Sequence, residues 1–198
     1  HNELKTVFIY VTHDQVEAMT MGTKIVVLKD GVIQQVASPD QLFTNPKNMF
    51  VAGFIGTPQM NFINGKIIFK NNEYYVCLFN DKEIKLPKER MSSFNKDYFD
   101  KDVIIGVRPR AISVNGDLSY VEQGLNAKIN LFEQLGEDTI LYCSVDGLEN
   151  DLIISTTGLS RFQINQIVNY SFDFTNVCVF DKETKESLLW LIKFGNPP

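Results

Sequence analysis

The sequence predicts a mainly β protein, a small barrel or sandwich, preceded by a short α/β segment. Three observations predict it. Residues 5–56 alternate continuous apolar runs with helix-start signals, the pattern of strands buried between helices. After about residue 60 the pattern changes to strand-like runs of about six residues separated by turn signals. Beyond that point no helical period outlasts two turns, except a weak candidate at residues 88–99. The change falls in "GTPQMNF", residues 56–62, and divides the chain into units 1–57 and 58–198.

In the first unit "TVFIYV" is a continuous apolar run, as in a strand buried on both faces. Thr12 with Gln15 three residues on makes a capping box, so a helix is expected from His13 to Met21. "KIVVL" is a second strand of the buried type, and Asp30–Gly31 turns the chain. "GVIQQVA" returns as a short antiparallel strand. Ser38, Pro39 and Gln41 repeat the helix-start signal, and Pro46 ends that helix. Asn45 and Pro46 open one more, "KNMFVAGFI", with an apolar face of Phe50, Val51, Phe54 and Ile55.

In the second unit "GKIIFK" and "EYYVCLF" flank Asn71–Asn72, a two-residue hairpin signal. "AKINLFEQL" and "TILYCSV" flank a polar "GED" turn, and "DFTNVCVF" and "SLLWLI" flank "DKETKE".

Composition narrows the function. With 198 residues, 44% hydrophobic and 22% charged, the chain has the make-up of an ordinary globular protein. No apolar run approaches the roughly 18 residues of a membrane span, and no secretory leader opens the chain. It begins "HNELKT", which reads as a piece of a longer protein. Cys77, Cys143 and Cys178 are too few, too far apart and odd in number for a disulfide framework or a CxxC metal site, and each sits in an apolar run as a buried thiol would. The net charge of -5 speaks against nucleic acid as a partner, and so against the alternative of a stand-alone binding module whose β half grips a nucleic-acid strand or a small oxyanion, because phosphate contacts need clustered Lys and Arg.

His13 is one of two histidines. It follows an apolar strand and stands at a helix start, where unpaired backbone N–H groups favour anions. The carboxyl end of such a strand is also where α/β folds place ligands. The alternative is a histidine that bonds only local backbone. A hydrolase built on His13–Asp14 is disfavoured, since neighbours in a helix point about 100° apart and no nucleophile motif accompanies them.

The stretch from "TVFIYVTHDQVEAM" to "FVAGFIGTPQMNF" resembles, almost continuously from residue 6 to residue 63, the end of the nucleotide-binding domain of ATP-binding cassette importers. It is most similar to the ATPase subunits of carbohydrate importers of the maltose and glycerol-3-phosphate type. "TPQMNF" favours that type over importers of polyamine, and an importer of polyamine, sulfate, molybdate or iron is the alternative within the family. The resemblance implies that "VTHDQVEAM" is a switch-histidine loop and that His13 reaches the γ-phosphate of ATP. It implies that "FVAGFIG" leads into a C-terminal regulatory domain of tandem oligonucleotide-binding (OB)-like barrels, with "IIGVRP" and "FEQLGEDTILYC" as its later motifs. After "VRP" that family usually has an acidic residue, and this chain has Arg110.

The resemblance further implies ATP and Mg²⁺ in the parent protein and a place at the inner face of the cell membrane. Its partners would be a second copy of the chain meeting about a two-fold axis, transmembrane permease subunits and a cytosolic regulator. The barrel unit is expected to fold without residues 1–59. Yet the phosphate cradle G-x-x-x-x-G-K-[ST] is not in this sequence. Gly65–Lys66 is followed by Ile67 and has Met60 where the first glycine belongs. Asp30 in "IVVLKDG" is followed by Gly31 and not by a glutamate, and "GLSRFQ" lacks the glycines of "LSGGQ". The chain by itself is therefore expected to bind no nucleotide and to lack ATPase activity.

Overall fold

Two-residue turns set the register of the hairpins. A computed structural model describes residues 6–79, 82–114, 125–158 and 162–189. Asp30 and Gly31, at φ 51° and 77°, join β1 (Ile25–Lys29) to β2 (Val32–Ala37). Both central residues have the positive φ that matches the twist of the flanking strands. Asn71 and Asn72, at φ 52° and 61°, do the same between β3 (Asn61–Lys70) and β4 (Glu73–Cys77). Gly136–Glu137 joins β8 (Leu125–Leu135) to β9 (Asp138–Ser144), one residue tighter than the "GED" turn expected.

The remaining elements are α1 (Gln15–Met21), α2 (Pro39–Thr44), α3 (Met49–Phe54), β5 (Glu83–Leu86), β6 (Asp102–Val107), β7 (Ile112–Val114), β10 (Leu152–Thr157), β11 (Ile167–Phe172) and β12 (Cys178–Asp181). β1 and β2 form a two-stranded ribbon. The other strands make two five-stranded antiparallel sheets, in the orders β12-β6-β3-β4-β5 and β10-β9-β8-β11-β7. The fold is mainly β, a nearly closed OB-like barrel system.

One apolar core lies between the two sheets. Ile63, Ile67, Val76 and Ile105 enter it from the first sheet, and Ile129, Leu141, Ile154 and Val168 from the second. β6 is buried on both faces. Val103, Ile105 and Val107 point into this core, while Ile104 joins a separate cluster with Ala52, Met60, Cys178 and Phe180. That is why "VIIGV" reads as a continuous apolar run. Gly106 belongs to the second face. A Cβ there would lie 2.5 Å from the Met60 sulfur and 2.9 Å from the Phe180 ring, so only glycine lets that layer close.

A side chain also joins the sheets. The buried Asn61 amide on β3 donates to the Ile153 carbonyl at 2.7 Å and accepts from the Ile153 N–H at 2.8 Å. It thereby pairs with an edge residue of β10 as a neighbouring strand would.

Five expectations are corrected. Residues 6–11 form no strand, and Val7, Ile9 and Val11 are about nine-tenths exposed, at 86%, 91% and 91%. A buried strand needs ladder partners on its flanks, and no described strand pairs with this run. For the same reason β1 is only half covered: Val27 is buried, but Val26 and Leu28 are exposed. α1 begins at Gln15, not His13. α3 begins at Met49 with Asn48 as its cap, and its buried residues are Val51 and Ala52, with Ile55 buried just beyond, while Phe54 is 43% exposed.

Residues 88–99 hold turns and a 3-10 turn at Lys96–Tyr98 in place of a helix. Ser92 and Ser93 are weak helix formers. Arg90 fixes the segment instead, donating to the Val177 carbonyl at 2.8 Å and the Thr44 carbonyl at 3.1 Å. In the expected "SLLWLI" strand, Ser187 bridges Phe180, and residues 190–198 lie outside the described residues. No helix among the described residues is long and apolar enough to cross a membrane.

Asn61→Ala removes both halves of the inter-sheet pair and leaves the Ile153 peptide groups short of partners. The expected loss is about 2 kcal/mol of unfolding free energy, read as a lower urea midpoint at unchanged slope.

Candidate functional site

The histidine loop is built by short-range hydrogen bonds. Thr12 Oγ1 accepts from the Asp14 N–H at 3.0 Å and donates to Glu17 Oε2 at 2.7 Å, and the Tyr10 hydroxyl reaches the same oxygen at 3.3 Å. Asp14 Oδ1 accepts from Val16 N at 2.7 Å and Glu17 N at 3.2 Å. Asp14, not Thr12, is therefore the N-cap, because a carboxylate is the stronger acceptor at the positive end of a helix. This corrects the capping box expected of Thr12 and Gln15. It also takes up the N–H groups that the sequence offered to an anion. His13 stands just ahead of the cap, exposed to solvent like its neighbours Val11 and Asp14.

Gln15 has a different partner. Its side-chain amide donates to the Phe54 carbonyl and accepts from the Gly56 N–H at 3.0 Å. The start of α1 is thus tied to the segment that leaves α3 for the barrel. A second tie reaches the same segment from the barrel side. Arg108 follows β6, 8% exposed. Its guanidinium donates to Ala52 O at 2.9 Å, to Ile55 O, and to Phe43 O at 3.0 Å. It lies over the Phe43 ring at 4.3 Å. These carbonyls lie at or near the C-terminal ends of α2 and α3, where the helix dipole favours a cation. Burial pulls the Arg108 pKa down from the usual arginine value, and the group stays charged. Two backbone bonds add to the tie: Met49 N donates to Lys185 O at 2.9 Å and Ser187 N to Lys47 O at 2.8 Å.

Burial makes two of the cysteines, Cys143 and Cys178, poor nucleophiles. Cys143 is buried, and burial chiefly, with Asp151 adding to it, pushes its thiol up to about 12. Burial likewise raises the Cys178 thiol, although Arg90 and Arg108 pull the other way. Cys77 is half-buried rather than buried. Arg110 pairs with Asp138 at 2.5 Å, so the position after "VRP" has a partner suited to its positive sign.

Gly65–Lys66 sits inside β3, where the backbone N–H groups belong to a ladder and do not converge on a phosphate. Asp30 occupies a hairpin turn. Part of "GLSRFQ" lies outside the described residues. Among the described residues no three His, Cys, Asp or Glu side chains gather as a metal site. Among the described residues none of these three stretches forms a phosphate cradle or an Mg²⁺ site, and His13 is a solvent-exposed residue just ahead of the α1 cap.

Residues 56–112 match the family model described as the MalK OB fold domain. Across 93% of its length the chain is 37% identical to an uncharacterized ABC transporter ATP-binding protein, YcjV, of Escherichia coli O6:K15:H31, covering 49% of that protein. It is 37% identical to the oligosaccharides import ATP-binding protein MsmX of Bacillus subtilis, over 93% of this chain and 50% of that one. It is 35% identical to the trehalose/maltose import ATP-binding protein MalK of Thermococcus litoralis, over 94% and 50% respectively. A solved structure of the cytoplasmic molybdate-binding protein ModG aligns with 60% of this chain and 94% of its own at 14% identity and a TM-score of 0.47, a likeness that fixes neither fold nor ligand.

The chain is a homologue of ABC transporter ATP-binding proteins over nearly all of its length, and it carries an OB fold domain of the MalK kind. It spans about half the length of the curated relatives it matches.

Sequence reasoning missed Gln15, Asp14 and Arg108 in these roles. Asp14 was legible, since Asp ranks above Thr as a cap. Arg108 left a weaker trace, an arginine that directly follows the apolar run Val103–Val107. Replacing Asp14 by Ala is expected to cost α1 about 1 kcal/mol, seen as faster amide exchange at Val16 and Glu17. Thr12→Ala should have the smaller effect there, reversing the order that a Thr12 cap predicts.

Proposed function

We propose that this chain is the junction portion of the ATPase subunit of an ABC importer, and that it joins the end of the motor domain to a regulatory barrel. In this reading residues 1–57 belong to the motor and residues 58–198 to the regulatory and dimerisation unit. His13 contacts the γ-phosphate of ATP. The phosphate cradle, the Mg²⁺ ligands and the signature loop come from outside this sequence. The solute is a carbohydrate, in keeping with the oligosaccharides and trehalose/maltose import for which MsmX and MalK are named. The partners are a second copy of the chain, transmembrane permease subunits and a cytosolic regulator. The protein works at the cytoplasmic face of the membrane.

One observation carries the reading. An uncovered apolar run, residues 6–11, leads straight into a loop that holds an exposed histidine ahead of a capped helix. An apolar run with no ladder to any described strand calls for strands on its flanks, and a sheet that supplied them would bring its own ligand edge beside His13. The chemistry then asked of His13 is modest. Phosphoryl transfer depends on positioning and on stabilising charge at the transferring group, and one imidazole N–H donated to a γ-phosphate oxygen does both.

In the gene product that carries this sequence, His13→Ala should abolish ATP-driven uptake and lower hydrolysis by about 10²-fold or more, with the fold unchanged by circular dichroism. Normal uptake by that variant would make His13 a local loop residue. The 198-residue chain alone should show no micromolar Mg-ATP binding by calorimetry and no phosphate release above the buffer blank; turnover by it would overturn the division of labour.

A further inference from the structure

The peptide groups around Ile55 are held from two directions. On one side Gln15 takes the Phe54 carbonyl and the Gly56 N–H, one group on each side of Ile55. On the other, Arg108 takes the Ile55 carbonyl itself, together with Ala52 O. Gly56 makes this double grip possible. Its φ of +110° suits glycine, and a Cβ there would stand 3.0 Å from Arg108 Nη1. Every polar backbone group of the linker from Phe54 O to Gly56 N is therefore either bonded across to α1, bonded across to the barrel, or used within α3, as Ile55 N is with Val51 O.

His13 is two residues from Gln15, within about 7 Å along the chain, and Asp14 between them caps the helix that Gln15 begins. A shift of the linker moves Gln15, and Gln15 moves the base of the histidine loop. We propose that Gln15 is a positioning residue for His13, and that Gln15 and Arg108 together couple the seating of the barrel to the placement of the histidine loop. The proposal rests on the reading of His13 as the phosphate contact, but the linkage is a property of this chain and needs no nucleotide.

Amide hydrogen exchange on the 198-residue chain without nucleotide tests it. Gln15→Ala should speed exchange of the Gly56 amide by about tenfold, the weight of one lost hydrogen bond, and should also loosen the amides of residues 18–21. Arg108→Lys keeps the charge but cannot make the forked contact. It should speed exchange at residues 55–56 and, through Gln15, at residues 18–21; in a Gln15→Ala background it should add nothing at residues 18–21. If Arg108→Lys fails to fold, Gly56→Ala strains the same joint and gives the same readout. An unchanged Gly56 amide in Gln15→Ala would overturn the contact. A loosened linker with residues 18–21 unaltered in the Arg108 or Gly56 variant would overturn the coupling. Failure of the ATP reading would show separately, as normal uptake by His13→Ala with these exchange patterns intact.

Discussion

A buried guanidinium with no carboxylate at salt-bridge distance among the described residues sets the terms for this molecule. Arg108 sits after β6 with its charge held by three main-chain carbonyls and the face of Phe43. Its Nε is buried without a hydrogen-bond partner. Burying a charge in that way is costly unless polar partners are fixed in place. Here they are fixed because they belong to the C-terminal ends of short helices, whose last carbonyls lack partners within the helix. Neither side is satisfied alone: without α2 and α3 the arginine loses its acceptors, and without the arginine the helix ends lose their donor. On this account the short helices and the barrel are expected to form together, against the expectation from sequence that the barrel unit folds without residues 1–59.

The packing around this contact follows from it. β6 must present apolar residues on both faces, inward to the core between the sheets and outward to α3, and so it carries Gly106 where Met60 and Phe180 press closest. Arg90 repeats the theme on a smaller scale, crossing from the turn segment to Thr44 O and Val177 O. Asn61 then ties the two sheets to each other. The result is a continuous path of hydrogen bonds from the second sheet through β3, β6 and α3 to the first turn of α1.

Local chemistry was legible in the sequence, and tertiary partnership was not. The Asp30–Gly31 and Asn71–Asn72 turns and the Ser38–Gln41 capping box appear where their residues predict, because those features depend on neighbours in the chain. The barrel unit was legible as short strands at regular spacing. "TVFIYV" misled, because an apolar run predicts a buried strand only if a sheet is there to receive it. Phe54 misled in another way: helical spacing put it on the apolar face, but the small Ala52 lets α3 approach Met60 and Phe180, which turns Phe54 outward. In the candidate site His13 was visible as a residue type at a strand-to-helix junction. Gln15 and Arg108 were not, since their partners are main-chain groups about 40 and 50 residues away, and main-chain groups leave no mark in a sequence.

The uncovered apolar surface of residues 6–11 and of Val26, Leu28, Val32, Ile33 and Val36 contrasts with the closed junction beneath it. One face of the α/β segment is open, while its other face is locked to the barrel through Arg108. Scanning calorimetry of the 198-residue chain tests that lock most directly. If α2, α3 and the barrel are one cooperative unit, they unfold in a single transition whose calorimetric and van't Hoff enthalpies agree. Two resolved transitions, with amide protection of α2 and α3 lost in the first and that of the barrel strands in the second, would contradict it.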